Sequence, residues 1–283
     1  MPELPEVQTI VTDLRPQLMG RTFVHVELVD PKAVKAPIPE DFQRGLCGQI
    51  VQEVRRRGKY IVLALGRPPS DPPSPRGKSA RGSALIAHLM MTGRLYLRSP
   101  EVEDGFIRAI LQLDDGWQLR FCDPRRLGSL WLVENEAEVI GKLGPEPLGR
   151  GFSKGYLARK LEKRSAPIKA LLLDQNIAAG IGNIYADEAL YVSRIHPTRS
   201  GGSLSGREIE RLHRGVRGVL RQGVSHRGTT FSDYRDAFGE PGGNQNHLRV
   251  FRREGQPCYS CGTKIERMVI RARSSHFCPQ CQS

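Results

Sequence analysis

The chain has no uninterrupted apolar run near the ~20 residues that cross a bilayer, so no transmembrane helix is expected. It also lacks a basic N-terminal patch followed by an apolar stretch, so no signal peptide is expected and the cytosol is the default location. Acids are in deficit: 30 Asp and Glu stand against 43 Lys and Arg, a net charge of +13. Such an excess biases a surface toward polyanions. No amphipathic basic helix turns that charge toward lipid, so nucleic acid is the favoured partner and no membrane contact is expected. Nor is there a repeat of the kind that marks solenoids or propellers. The 283 residues suggest about two domains. A 39% hydrophobic share is enough for a sizeable core. No self-complementary apolar stripe is evident, which points to a monomer.

Cysteine is scarce as well, and four of the six are clustered near the C-terminus. Cys47 and Cys122 stand alone in strand-like contexts and read as structural. Cys258-x2-Cys261 and Cys278-x2-Cys281 are two hooks separated by sixteen residues. That spacing places four thiolates around one zinc ion. With four protein ligands no site is left for water, so the zinc is expected to be structural. Two disulfides are the competing reading, and a cytosolic chain disfavours them. Arg267, Arg271 and Arg273 lie between the hooks, and a metal-braced hairpin presenting guanidinium groups suits phosphate.

The rest of the chain divides by period. Pro5 suits a helix start, and Val7, Ile10, Val11, Leu14 and Leu18 follow helical spacing to a stop near Gly20. From Thr22 the period becomes two. Val24, Val26 and Leu28 are expected to share a strand face, Ile61–Leu65 and Ala84–Met90 are short apolar runs, and Ile107–Cys122 predicts a hairpin turning at Asp115-Gly116. Two packed sheets, a sandwich or flattened barrel, are expected. Residues 67–82, rich in Pro, Ser, Gly and basic side chains, read as a solvated surface loop. Residues 141–152 look like a linker. Helices follow: one capped by Ser153, one opening at Pro167, and one opening with the capping box Ser205/Glu208. Ala179-Gly180-Ile181-Gly182-Asn183 must be a turn between helices.

The opening Met1-Pro2-Glu3-Leu4-Pro5-Glu6 carries candidate chemistry. A small second residue permits loss of Met1, which leaves the Pro2 nitrogen as a secondary amine. An α-amine titrates near ~8, against ~10.4 for lysine, so more of it is unprotonated at neutral pH. Such an amine attacks electrophilic carbon and forms an iminium. Glu3 is placed to move protons. On these residues alone an ordinary start of an N-terminal helix competes.

This opening resembles that of the bacterial formamidopyrimidine-DNA glycosylases, and the resemblance recurs in order along nearly the whole chain. It is carried by Arg57-Gly58-Lys59-Tyr60, by His88-Leu89-Met90-Met91-Thr92-Gly93-Arg94, by Asp123-Pro124-Arg125-Arg126-Leu127-Gly128, by Leu173–Ala186 and by the cysteine hairpin. The resemblance implies an α+β chain in four parts. These are an N-terminal catalytic two-sheet sandwich over 1–133, a linker over 134–152, a helix–two-turn–helix region with a lesion-capping loop over 153–246, and a zinc-finger hairpin over 247–283. It implies a bifunctional glycosylase and abasic-site lyase that takes oxidised purines from duplex DNA after flipping the nucleotide out. Pro2 would be the nucleophile and Glu3 the acid/base. Glu6 would orient the amine, while Lys59, Asn183 and Arg273 would grip phosphates. Met91, Arg125 and Leu127 would fill the vacated stack, beside His88. Leu127 stands where the family usually has Phe. His226–Phe231 stands where paired glycines are common in the capping loop. The competing readings are an endonuclease VIII-like enzyme for oxidised pyrimidines, whose opening usually has Gly in place of Leu4, and a non-catalytic zinc DNA-binding paralogue.

Overall fold

The computed structural model describes residues 1–66 and 82–283. The loop expected over 67–82 therefore lies outside the described residues apart from Gly82. The chain forms two compact units, one from Met1–Pro2, Glu6–Gly141 and Thr229–Gly242, the other from Glu3–Pro5, Lys142–Gly228 and Gly243–Ser283.

The first unit opens with helix α1 (Leu4–Leu18), whose Val7, Ile10, Val11, Leu14 and Leu18 are fully buried, as their spacing predicts. Each such side chain contributes about 1.5–3 kcal/mol of burial. Strand β1 (Phe23–Leu28) follows, then β2 (Val34–Ala36), helix α2 (Pro39–Leu46), β3 (Ile50–Arg57) and β4 (Tyr60–Gly66). Beyond the undescribed segment come β5 (Ala84–His88), β6 (Arg94–Arg98), β7 (Ile107–Leu113), β8 (Gln118–Cys122), β9 (Ser129–Val133) and a short helix α3 (Ala137–Ile140). The strands make a four-stranded sheet, β1-β7-β8-β6, and a five-stranded sheet, β2-β9-β5-β4-β3. One apolar cluster, including Phe23, Phe42, Val54, Leu63, Leu95 and Phe121, joins their inner faces. Tyr234 and Ala237, more than two hundred positions beyond α1 in the chain, belong to the same cluster.

The expected hairpin is present as β7 and β8. Its turn closes by a bond from the Leu113 N–H to the Trp117 carbonyl (2.8 Å), with Gly116 at φ 88°. Trp117, expected on the returning strand, sits in the turn and is exposed. Two further expectations are corrected. Val24, Val26 and Leu28 do not share a buried face: Val26 is buried, Leu28 partly so, and Val24 is half-exposed. A bulge between Phe23 and His25 inserts a residue and breaks the alternation, so the buried positions become Phe23 and Val26. Cys47 lies not in a strand but at the C-terminal end of α2, and it is exposed.

The second unit is helical. Helix α4 (Lys154–Leu161) is capped by Ser153, whose Oγ accepts the Tyr156 N–H at 3.1 Å. Helix α5 (Ile168–Leu173) begins after Pro167, and α6 (Asn183–Val192) begins after the predicted turn. Helix α7 (Gly206–Ser225) opens with the capping box, and Ile209, Leu212, Val216, Val219 and Leu220 form its buried stripe. The Ser205 N–H donates to Glu208 at 2.7 Å and, with Arg199, outweighs burial to hold that carboxyl down at about 2. The C-terminal hairpin pairs β10 (Glu266–Ile270) with β11 (Arg273–Phe277).

Candidate active site and metal centre

In the helical unit, the turn at 179–182 aims the start of α6 at Glu3. The buried Glu3 carboxylate accepts main-chain N–H bonds from Gly182 (2.7 Å), Ile184 (2.9 Å) and Tyr185 (3.4 Å). Glu3 thus caps a helix remote in sequence, and the helix dipole favours its negative form. The fit forbids a side chain at position 182, because a Cβ there would lie 2.3 Å from the Glu3 carboxyl carbon. Gly182→Ala is therefore expected to displace Glu3 and destabilise the fold by about 1–3 kcal/mol. Chemical denaturation of this variant beside wild type checks it.

Lys169 stands behind this cap. It is fully buried on α5, bonded through Nζ to Asp187 (2.7 Å) and to the Ser274 carbonyl (2.6 Å). Burial pulls its pKa down, and the charges of Asp187 and Glu3 oppose that pull. Asp187 also accepts the Ser275 hydroxyl (3.1 Å) and the His276 N–H (2.9 Å). These bonds fasten β11 to α5 and α6, so Arg273, at the start of that strand, is presented exposed and close enough for its charge to act on Lys169. Asn183 is the first residue of α6, and its buried Oδ1 has no hydrogen-bond partner among the described residues. Glu3 and Arg273 thus lie within charge reach of a lysine that sequence reasoning missed, and Asn183 opens the helix that Glu3 caps. Its signal was present: one lysine interrupts the apolar run Ile168–Leu173. Farther along α6, buried Glu188 accepts the N–H groups of Arg249, Val250 and Phe251 and fixes the chain leading to the cysteines.

In the sandwich unit, Pro2 is buried while Met1 is half-exposed. The Glu6 carboxylate accepts the Thr229 N–H at 2.7 Å. Lys59 follows Gly58 (φ 58°) in the tight turn between β3 and β4 and is largely buried. His88, at the end of β5, packs against the Tyr60 ring at 4.5 Å with the planes tilted by 58°, and accepts the Met90 N–H through Nδ1 (3.1 Å). Burial, then the positive charge of Lys59, holds the His88 pKa down to about 4. A histidine depressed in the folded state is neutral at pH 7. The unfolded chain protonates near ~6.5 and the folded one only near 4, so this group draws stability away as pH falls through that window. A proton NMR titration is expected to place its midpoint near 4, moving upward in Lys59→Met. The remaining predicted residues, Met91, Arg125 and Leu127, are exposed on two neighbouring segments.

The four C-terminal cysteines converge, with all four sulfurs within 4.8 Å of one another. Tetrahedral ligation at a Zn–S distance of ~2.3 Å requires S···S separations of about 3.8 Å. Cys258 and Cys281 stand at 3.9 Å, and Cys261 and Cys278 at 3.5 Å. The Ser260 N–H donates to the Cys258 sulfur and the Cys281 N–H to that of Cys278, both at 3.4 Å, which supports thiolates. The residues fit one zinc ion that has no open coordination position.

Comparisons with known proteins agree with this geometry. Residues 1–130 match the formamidopyrimidine-DNA glycosylase N-terminal domain, residues 143–235 the H2TH domain of the same enzyme, and residues 255–283 a zinc finger found in FPG and IleRS. The chain is 43% identical to the formamidopyrimidine-DNA glycosylase of Herpetosiphon aurantiacus, with both chains covered in full. Its fold is similar to that of MutM (FPG) from Thermus thermophilus, with a TM-score of 0.85, 41% identity and coverage of 99% and 98%. It is also similar to a Lactococcus lactis FPG variant solved with a Fapy-dG containing DNA, with a TM-score of 0.88, 30% identity and both chains covered in full.

Proposed function

The chain belongs to the formamidopyrimidine-DNA glycosylase family, and on that premise we propose that it releases oxidised purines from duplex DNA through the amine of Pro2. The observation that carries the mechanism is the Glu3 carboxylate, adjacent in sequence to that amine and locked by three main-chain N–H groups. A carboxylate so fixed needs no reorganisation to take and return protons. After loss of Met1, the Pro2 nitrogen attacks the anomeric sugar carbon and the glycosidic bond breaks, its electron pair leaving with the base. A proton passed through Glu3 opens the sugar ring, and the nitrogen lone pair completes an iminium. Elimination of the 3′ and then the 5′ phosphate follows, cutting the strand on both sides of the lost base. Arg273, Lys59 and the N-terminus of α6 at Asn183 bind the phosphates of the flipped nucleotide. Glu6 orients the amine end, and Met91, Arg125 and Leu127, beside His88, occupy the gap in the stack.

The zinc, once bound, supplies no chemistry. It stiffens the hairpin that carries Arg273. The four-part division at 133, 152 and 246 is the functional partition of this reading, with a monomer acting on damaged duplex in the bacterial cytosol. No helix among the described residues is long and apolar enough to cross a membrane. Borohydride trapping on a duplex carrying 8-oxoguanine opposite cytosine tests the whole. A covalent adduct is expected. Its absence with wild-type protein would overturn the catalytic reading in favour of a binding paralogue, and an adduct on oxidised pyrimidine alone would favour the endonuclease VIII-like one.

A further inference from the structure

Two short segments of the sandwich unit carry the residues assigned above to the gap in the DNA stack. One follows β5 and holds Met91. The other follows β8 and holds Arg125 and Leu127. Both are turns with a residue in the left-handed region, Met90 at φ 49° and Arg126 at φ 56°, and neither residue is glycine. Such conformations persist only where the surroundings over-determine them. The Met90 N–H is held by His88 Nδ1, the Arg126 turn is held by Asp123, and Asp123 reaches the first segment through Thr92.

Asp123 is completely buried. Its Oδ1 accepts the Thr92 hydroxyl (2.5 Å) and the Arg125 N–H (3.1 Å), and its Oδ2 accepts the N–H groups of Leu127 (2.8 Å) and Gly128 (2.7 Å). One carboxylate thus ties the Met91 segment to the Arg125–Leu127 segment through four donors. Its own backbone is fixed to the β7 side of the sheet, donating to the Phe106 carbonyl (2.9 Å) and accepting from Arg108 Nε (2.8 Å). The packing leaves no slack, since a Cβ at Gly128 would lie 2.6 Å from the Phe121 ring and 3.2 Å from Asp123 Oδ2.

We propose that Asp123 is a positioning residue for lesion probing: its buried carboxylate couples the two segments so that Met91, Arg125 and Leu127 enter the duplex as one rigid body. The inference rests on the function proposed above and adds a residue that never touches DNA. Only an ionised carboxylate accepts all four bonds. An asparagine keeps the acceptor for Leu127 and Gly128, but it turns an NH2 toward the Arg125 N–H, donor against donor. That misfit is expected to free the Arg125 side of the wedge.

The test compares two reactions of one protein. Excision of 8-oxoguanine opposite cytosine requires probing and flipping, whereas cleavage at a preformed abasic site presents no base to extrude. In single-turnover assays, Asp123→Asn is expected to lower excision about tenfold more than abasic-site cleavage. It should lower by a similar factor the rate of the fluorescence rise from 2-aminopurine placed beside the lesion. Combined with Leu127→Ala, it should add little further loss, because both changes disable the same wedge. Thr92→Val, which cuts the link between the segments and keeps the carboxylate, should reproduce the pattern in milder form and serves if the Asn variant fails to fold. Equal losses in both reactions, or losses that multiply with Leu127→Ala, would overturn the inference. Wild-type protein that does not excise would instead overturn the function on which it rests.

Discussion

Protein that retains Met1, or whose Pro2 nitrogen is acetylated, is expected to bind a lesion-bearing duplex, to yield no borohydride adduct, and to lose roughly 10³-fold or more of its excision rate, the scale of losing a covalent nucleophile. In either form the Pro2 nitrogen belongs to an amide, whose lone pair is delocalised into the carbonyl. Freed, it is an α-amine with a pKa near ~8, so about a tenth of it is unprotonated at pH 7, against well under a thousandth for an ordinary lysine. The lysine amine within charge reach of Glu3 is a poor substitute. Lys169 is fully buried, and its Nζ is taken by Asp187 at 2.7 Å and the Ser274 carbonyl at 2.6 Å. Mass spectrometry of the N-terminus, followed by trapping on 8-oxoguanine duplex, decides the matter. An undiminished adduct on Met1-retaining protein would move the nucleophile elsewhere, and Lys169 would be the first place to look.

Stripping the zinc, or replacing Cys278 with Ser, is expected to abolish both the C-terminal fold and tight DNA binding while leaving the sandwich folded. The hairpin is small: β10 and β11 have five residues each, and the apolar cluster around the cysteines contains Tyr191, Val250, Ile265 and little else. Structural zinc contributes about 10–16 kcal/mol to such a module at pH 7, more than this core supplies. Cys278 is fully buried, so the serine variant also leaves an unliganded polar group inside. On the function proposed above, losing the hairpin removes Arg273 and its neighbouring arginines from the DNA. At about 1.5–3 kcal/mol for each charge-assisted bond, a drop in affinity of roughly 100-fold or more follows. Metal analysis with binding isotherms at fixed salt measures both parts. A zinc-free protein that binds lesion duplex as tightly as the holoprotein would refute the assignment.

What the sequence made legible was whatever repeats at a fixed local period or sits in a contiguous motif. The stripe of α1, the stripe and capping box of α7, the β7–β8 turn and the cysteine hooks are all of this kind, because each depends on neighbours a few residues away. What escaped depends on partners far along the chain. A bulge in β1 shifted Val24 outward, which no alternation rule anticipates. Thr229–Gly242 was expected with the helices but groups with the sandwich, where Tyr234 and Ala237 join the core and the Thr229 N–H reaches Glu6. Lys169, Asp187 and Asp123 were passed over because a buried charge is recognisable only from what surrounds it. Asp123 stands in a contiguous motif, but the Thr92 hydroxyl among its four donors comes from a segment 31 residues earlier.

The close seating of Glu3 against Gly182 also sets an order in which this chain can change over evolutionary time. While the carboxylate is in place, position 182 is closed to every residue with a side chain, because a Cβ there would lie 2.3 Å from the Glu3 carboxyl carbon. Loss of the carboxylate lifts that ban and leaves the first amides of α6 uncapped, so a polar side chain at 182 becomes an advantage. The two positions, 179 apart in the chain, can therefore drift only in one sequence, acid first and glycine second. In a descendant, a serine or aspartate at 182 would mark a lineage that had already given up the Glu3 carboxylate, whatever the rest of the fold retained.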